Sequence, residues 1–159
     1  MRAVWISALS TLALGVGLFC YLAPLDPGVL ALQFAFTPRS FGQIVHFWSS
    51  ADLARYRSHL PADFAFLFAY GLFGYLLATR TGVTAARGPA FRRVLSWLLP
   101  VAACFDAIEN ALHWWLTEMP RFGVAPLYAA SGAASSLKWL LVFGFGLMLA
   151  YAAYRAEED

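Results

Sequence analysis

The 159-residue chain is 61% hydrophobic and only 13% charged, against about 25% charged in an average soluble domain, so a water-soluble fold of this size has no interior able to hide its apolar side chains. Net charge is +2 and the 11 lysines and arginines are dispersed rather than gathered into a stripe, which argues against nucleic acid as a partner. The two cysteines, Cys20 and Cys104, sit singly inside apolar stretches without a CxxC spacing, so neither a disulfide framework nor a thiolate metal site is expected.

Four apolar blocks separated by short polar stretches predict an all-α polytopic membrane protein, a four-transmembrane-helix bundle forming a single membrane domain over 1–159. The first block, 3–23, follows Arg2. At roughly 20 residues it has bilayer-spanning length rather than that of a secretory signal core, and no small-x-small cleavage site follows it. Phe19 before Cys20 spoils a lipoprotein cleavage site, so a retained helix is expected.

The segment 25–60 is too polar to span but is patterned. Thr37-Pro38 reads as an N-cap with a helix-compatible proline, and Phe41, Ile44, Val45 and Trp48 recur at helical spacing. Ser49-Ser50-Ala51-Asp52 has the form of a capping box, with Leu53, Tyr56 and Leu60 as the apolar stripe of a second short helix. This outer amphipathic segment is expected to lie with Phe47 and Trp48 in the membrane interface, as an ornament or as a lid over an outward-facing cavity.

The remaining spans are expected at 62–78, 94–116 and 124–154. Arg2, Arg80, Arg87, Arg92, Arg93 and Arg155 then fall on one side of the membrane, against Arg39, Arg55, Arg57 and Arg121 on the other. That bias, carried mainly by a four-arginine loop between the second and third spans, places both termini in the cytoplasm, with the chain in the inner cell membrane.

The third span carries the most informative stretch. Asp106, Glu109, Asn110 and His113 are spaced i, i+3, i+4, i+7 and share one helix face. A charge at mid-bilayer costs roughly 2.5–3.5 kcal/mol on insertion scales, so such residues ordinarily face a bundle interior or an aqueous cavity. On the fourth span, Lys138 follows Ser135 and Ser136. At about 1.5 Å per residue, Asp106 lies some 16 Å and Lys138 some 20 Å from the outer helix ends, so Lys138 is the expected partner of Asp106 or Glu109.

Asp63 enters the second span just after Pro61, at a depth expected to be nearer His113 than Asp106. There it either complements the helix dipole or, with His59, Tyr70, Glu109 and His113, rims a vestibule leading to Asp106 and Lys138. Three acids against one lysine leave two negative charges in excess, so one carboxyl is expected to hold a proton near neutral pH. Alternatively the polar residues form a satisfied knot that fixes helix register.

Paired glycines at 15 and 17, 71 and 74, and 144 and 146, with Ser131, Gly132, Ser135 and Ser136, are expected to permit close helix packing. Glu109 and His113 form one i, i+4 pair, too few ligands for a carboxylate-bridged metal pair, so no metal and no cofactor are expected.

The elements Asp-Phe-x-Phe-x-x-x-Tyr-Gly (Asp63, Phe64, Phe66, Tyr70, Gly71), Asp-x-x-Glu-Asn (Asp106, Glu109, Asn110) and Leu-Lys-Trp (Leu137 to Trp139) come after an outer amphipathic segment. In this order they resemble a widespread, uncharacterised group of bacterial four-helix integral membrane proteins, over about residues 30 to 150. The resemblance implies a four-helix architecture and no activity. Three functions stay open. One is a cavity that binds, or acts by proton transfer on, a small apolar, lipid-like molecule, with Asp106 and Glu109 as acid and base, Lys138 holding one of them ionised, and Asp63, Tyr70, Asn110, His113 and Ser135 around it. The second is a proton- or cation-linked transporter or channel. The third is an accessory subunit or assembly factor of a membrane complex, with a homo-oligomer or a larger complex as its setting.

Overall fold

A computed structural model describes residues 1–84, 87–119 and 121–156, with the backbone alone for Arg155 and Ala156. The described residues are helical and contain no strand. The helices are α1 (Arg2–Leu22), α2 (Val29–Gln33), α3 (Pro38–Phe47), α4 (Ser50–Arg80), α5 (Pro89–Leu116) and α6 (Ala125–Ala156), with a 3-10 turn at Gly82–Thr84 after α4. Four of them, α1, α4, α5 and α6, are long and apolar enough to cross a membrane. The side chain of Arg155, part of the arginine bias, lies outside the described residues.

The predicted caps are present. Thr37 and Ser40 close a reciprocal capping box at the start of α3, with Pro38 in its first turn, and Ser49 and Asp52 do the same for α4. Beyond the second cap the chain departs from the expected short helix and separate span. One 31-residue helix runs unbroken through Pro61. Proline removes one backbone donor and crowds the carbonyl four residues back, but packing on both sides holds the helix in register. Tyr56, His59 and Leu60 before the proline, and Leu67 and Tyr70 after it, are all buried. Asp63 therefore sits more than three turns inside α4, not in a first turn, which removes the dipole reading of this residue.

Helix α5 likewise starts five residues before the expected span, with Pro89 at its first turn. Arg92 and Arg93 are thus helical and Arg80 ends α4, so of the four arginines expected in the loop only Arg87 lies in it. Helix α2 is not foretold by the sequence pattern. Trp48 also departs from its expected interfacial place. It is 5% exposed, and its indole N–H donates to the Pro27 carbonyl at 2.8 Å, whereas neighbouring Phe47 is 74% exposed.

Helix α1 packs on α4, α4 on α5 and α5 on α6, while α1 and α6 share no extended contact among the described residues. Two cores result. An outer one joins Leu32, Phe41, Trp48 and Tyr56 to Leu116 and Tyr128, and an inner one joins Leu67, Ala78, Leu95, Leu99, Ala102 and Phe145. The polar residues of α4, α5 and α6 lie between them.

The glycines divide by position. A methyl group on Gly74 would stand 2.7 Å from Leu99, one on Gly132 2.7 Å from Phe36 and one on Gly15 3.1 Å from Phe66, whereas Gly17, Gly144 and Gly146 face open space. The expectation of close helix packing thus holds at Gly74 and Gly15, whereas Gly132 is met by Phe36 of the α2–α3 connection and Gly17, Gly144 and Gly146 meet no neighbour.

Candidate functional site

Lys138 reaches from α6 into the stripe on α5. Its Nζ lies 2.8 Å from Asp106 Oδ1 and 2.7 Å from Glu109 Oε2. All three side chains are buried. One ammonium is thus shared by two carboxylates a helical turn apart, in line with the depth expected from helix rise. Tyr70 of α4 donates its hydroxyl to Asp106 Oδ2 at 3.2 Å. Asn110 donates from Nδ2 to Asp63 Oδ2 at 2.6 Å. That contact sets Asp63 level with Asn110, a turn from His113 and slightly more from Asp106, which agrees with the expected depth, while Tyr56 takes the place opposite His113 itself.

His113 is fully buried. Its Nδ1 is 2.5 Å from the Tyr56 hydroxyl and 3.8 Å from Glu109 Oε1, and the Phe41 ring meets it edge-on at 5.4 Å. His59 sits one turn after Tyr56, its Nδ1 against the Tyr56 carbonyl. Ser135, also fully buried, donates to the Ser131 carbonyl at 3.1 Å. A polar ladder therefore runs from His113 and Tyr56 past Glu109, Asn110 and Asp63 to Lys138, Asp106 and Tyr70. It spans about 10 Å along α5.

Beside the ladder is a cavity of about 530 Å³, within the usual range for small-molecule sites. Of the residues singled out by sequence, His59, Asp63, Tyr70, Asp106, Glu109, Asn110 and Lys138 line it; His113 and Ser135 lie behind the wall. Phe66, Phe73, Val142 and Phe145 supply much of the remaining surface, Thr11 lines it from α1, and Val29 and Gln33 of α2 roof it. Gln33 Oε1 accepts from the Trp139 indole at 3.0 Å, tying the roof to α6. The gap between α1 and α6 leaves this space without a helix on one side.

Tyr56 is the residue least accessible to sequence reasoning, since the pattern up to Leu60 reads as a separate short helix with Tyr56 in its apolar stripe. A signal is nevertheless present. Tyr56, His59, Asp63, Leu67 and Tyr70 advance by three or four residues throughout, one helical stripe that ignores Pro61.

Among the described residues, no three His, Cys, Asp or Glu side chains are placed to hold a metal ion. No protein family, curated protein or solved structure matches the chain.

Proposed function

We propose that this chain is an integral membrane protein, its four long helices forming a bundle across the bilayer, and that the cavity between them binds a small, largely apolar molecule whose polar end meets the Asp106–Glu109–Lys138 cluster. The observation that carries this reading is the cavity itself: aromatic and aliphatic walls with the convergent polar groups gathered on one ladder. Asp106 and Glu109 are the acid and base candidates for proton transfer within a bound lipid-like molecule, and Lys138 keeps one of them ionised. Asp63, open to the cavity and held by an amide rather than a cation, is the fourth polar contact. The arginine bias favours cytoplasmic termini, and the motif resemblance is consistent with a bacterial inner membrane.

A transport role is less favoured. The ladder ends at Tyr70 and Asp106, and the next two turns of α5 toward its start, from Phe105 back to Leu99, are apolar.

The decisive comparison is between Asp106→Asn, Glu109→Gln, Lys138→Met, the double variant Glu109→Gln/Lys138→Met and the triple variant Asp106→Asn/Glu109→Gln/Lys138→Met. Each is assayed for folding in detergent and, by mass spectrometry, for copurifying small molecules. Because Lys138 contacts two carboxylates, removing either acid leaves one pair intact. Asp106→Asn and Glu109→Gln are expected to stay folded and lose the bound molecule. If instead the single and double variants unfold and the fully neutral Asp106→Asn/Glu109→Gln/Lys138→Met recovers, the cluster is a structural ion knot and the reading fails.

A further inference from the structure

We propose that the turn joining α4 to α5 carries a second site, which takes the phosphate group of an anionic membrane lipid. It is a pocket of about 400 Å³ lined by Arg87, Arg92 and Arg93 with Thr79, Thr84 and Ser96. This inference uses the membrane reading and is independent of the cavity between the helices.

Electrostatics favours an anion here. Arg92 and Arg93 stand in the first turns of α5, where the positive end of the helix dipole disfavours cations, and the first turn holds no acid. Gly88 caps the helix without a side-chain acceptor, so first-turn amides are left for an outside ligand. The described acids lie elsewhere: Asp26, Asp52 and Glu118 at the opposite helix ends, Asp63, Asp106 and Glu109 in the interior.

A second, independent observation is Arg87. Its guanidinium stacks 5.4 Å from the Tyr151 ring, while Nε and Nη2 are buried without a hydrogen-bond partner among the described residues. Arg92 spends one nitrogen on the Thr79 carbonyl at 2.6 Å, pinning α5 to α4, and keeps the rest of its fork. A planar donor set of this kind suits phosphate.

The surface below the pocket selects a lipid over free phosphate. Tyr75 is one turn before Thr79, and Trp97 one turn after Arg93. Their rings meet at 6.0 Å, and with Val94 they form an exposed apolar shelf. A headgroup in the arginine pocket would lay its acyl chains along that shelf. The arginine bias puts this end of the helices at the cytoplasmic leaflet, where anionic lipids are enriched.

The test uses the full chain in mild detergent, with bound phosphatidylglycerol, phosphatidylcholine and inorganic phosphate measured by native mass spectrometry. Phosphatidylglycerol is expected to be preferred over phosphatidylcholine, the preference falling about fivefold for each of Arg87→Gln and Arg93→Gln. Arg39→Gln, at the opposite end, should leave it unchanged. Arg93 makes no side-chain hydrogen bond among the described residues, so its variant keeps the test valid should Arg87→Gln misfold. Equal binding of the two lipids, or a preference surviving Arg93→Gln, overturns the proposal. So does displacement of the lipid by equimolar inorganic phosphate, which would mark a site for the free ion. Lipid binding that emerges only after removal of Glu157, Glu158 and Asp159 overturns it in favour of the chain's own acidic end.

Discussion

Tyr56 links the outer core to the polar ladder through a single oxygen. Its ring is 1% exposed and packs 5.0 Å from Trp48, so Tyr56→Phe preserves packing while removing the hydroxyl from His113 Nδ1. A buried group left without its partner forfeits about 1–3 kcal/mol, and we expect a lower unfolding temperature in detergent of corresponding size. An unchanged temperature would mean that Glu109, 3.8 Å away, takes over the imidazole. Ser131→Ala is the opposite case. The Ser131 hydroxyl is buried without a partner among the described residues, so its removal should be neutral or slightly stabilising in the same measurement. At this scale much of the candidate site was legible. The i, i+3, i+4, i+7 spacing of Asp106, Glu109, Asn110 and His113 fixes a shared face whatever the tertiary structure. Which partner each acquires was less so, because Asn110 meets Asp63 and His113 meets Tyr56 only through the rotation of α4 against α5, and periodicity within one helix carries no information about its phase relative to another.

The elements show where local rules were overruled. Caps at Thr37 and Ser49 were readable because each is a contact within four residues. Pro61 misled because its local cost is real but is offset by long-range burial of Tyr56, His59, Leu60 and Tyr70 on one stripe. Glycine positions carry the same lesson, since a glycine matters only where another helix arrives. Gly74→Ala would place a methyl 2.7 Å from Leu99 Cβ, and Cβ cannot swing away as a side-chain tip can. We expect a loss of about 1–3 kcal/mol, typical of overpacking. Gly144→Ala, mid-helix and in open space, should be neutral or stabilising by up to about 1 kcal/mol. Equal effects at 74 and 144 would show that helix propensity, not the α4–α5 contact, sets the response.

At the scale of the molecule the informative feature is an asymmetry in what is covered. Only Val4 and Ser7 of α1 are buried, and Trp5, Leu9, Leu12 and Phe19 each expose more than 60% of their surface. On α6, Leu140, Phe143 and Leu147 do the same. Under the membrane reading proposed above, lipid would be the solvent that leaves such faces without a penalty. The hydrophobic blocks foretold four long apolar helices but not this open arc, which depends on α1 choosing α4 and not α6. If the cavity is occupied from the bilayer, its ligand passes between these two helices under the α2 roof. Thr11 and Gly146 line the cavity from opposite sides of the gap, and Gly146 has room for a side chain. In a background lacking the exposed Cys20 and Cys104, Thr11→Cys/Gly146→Cys should be bridged by a flexible bismaleimide. The bridge is expected to slow exchange of the copurifying molecule markedly relative to the unlinked pair, while leaving the fold intact. Unaltered exchange would place the route at the outer end, past Val29 and Gln33, and would make α2 rather than the α1–α6 gap the element that governs access.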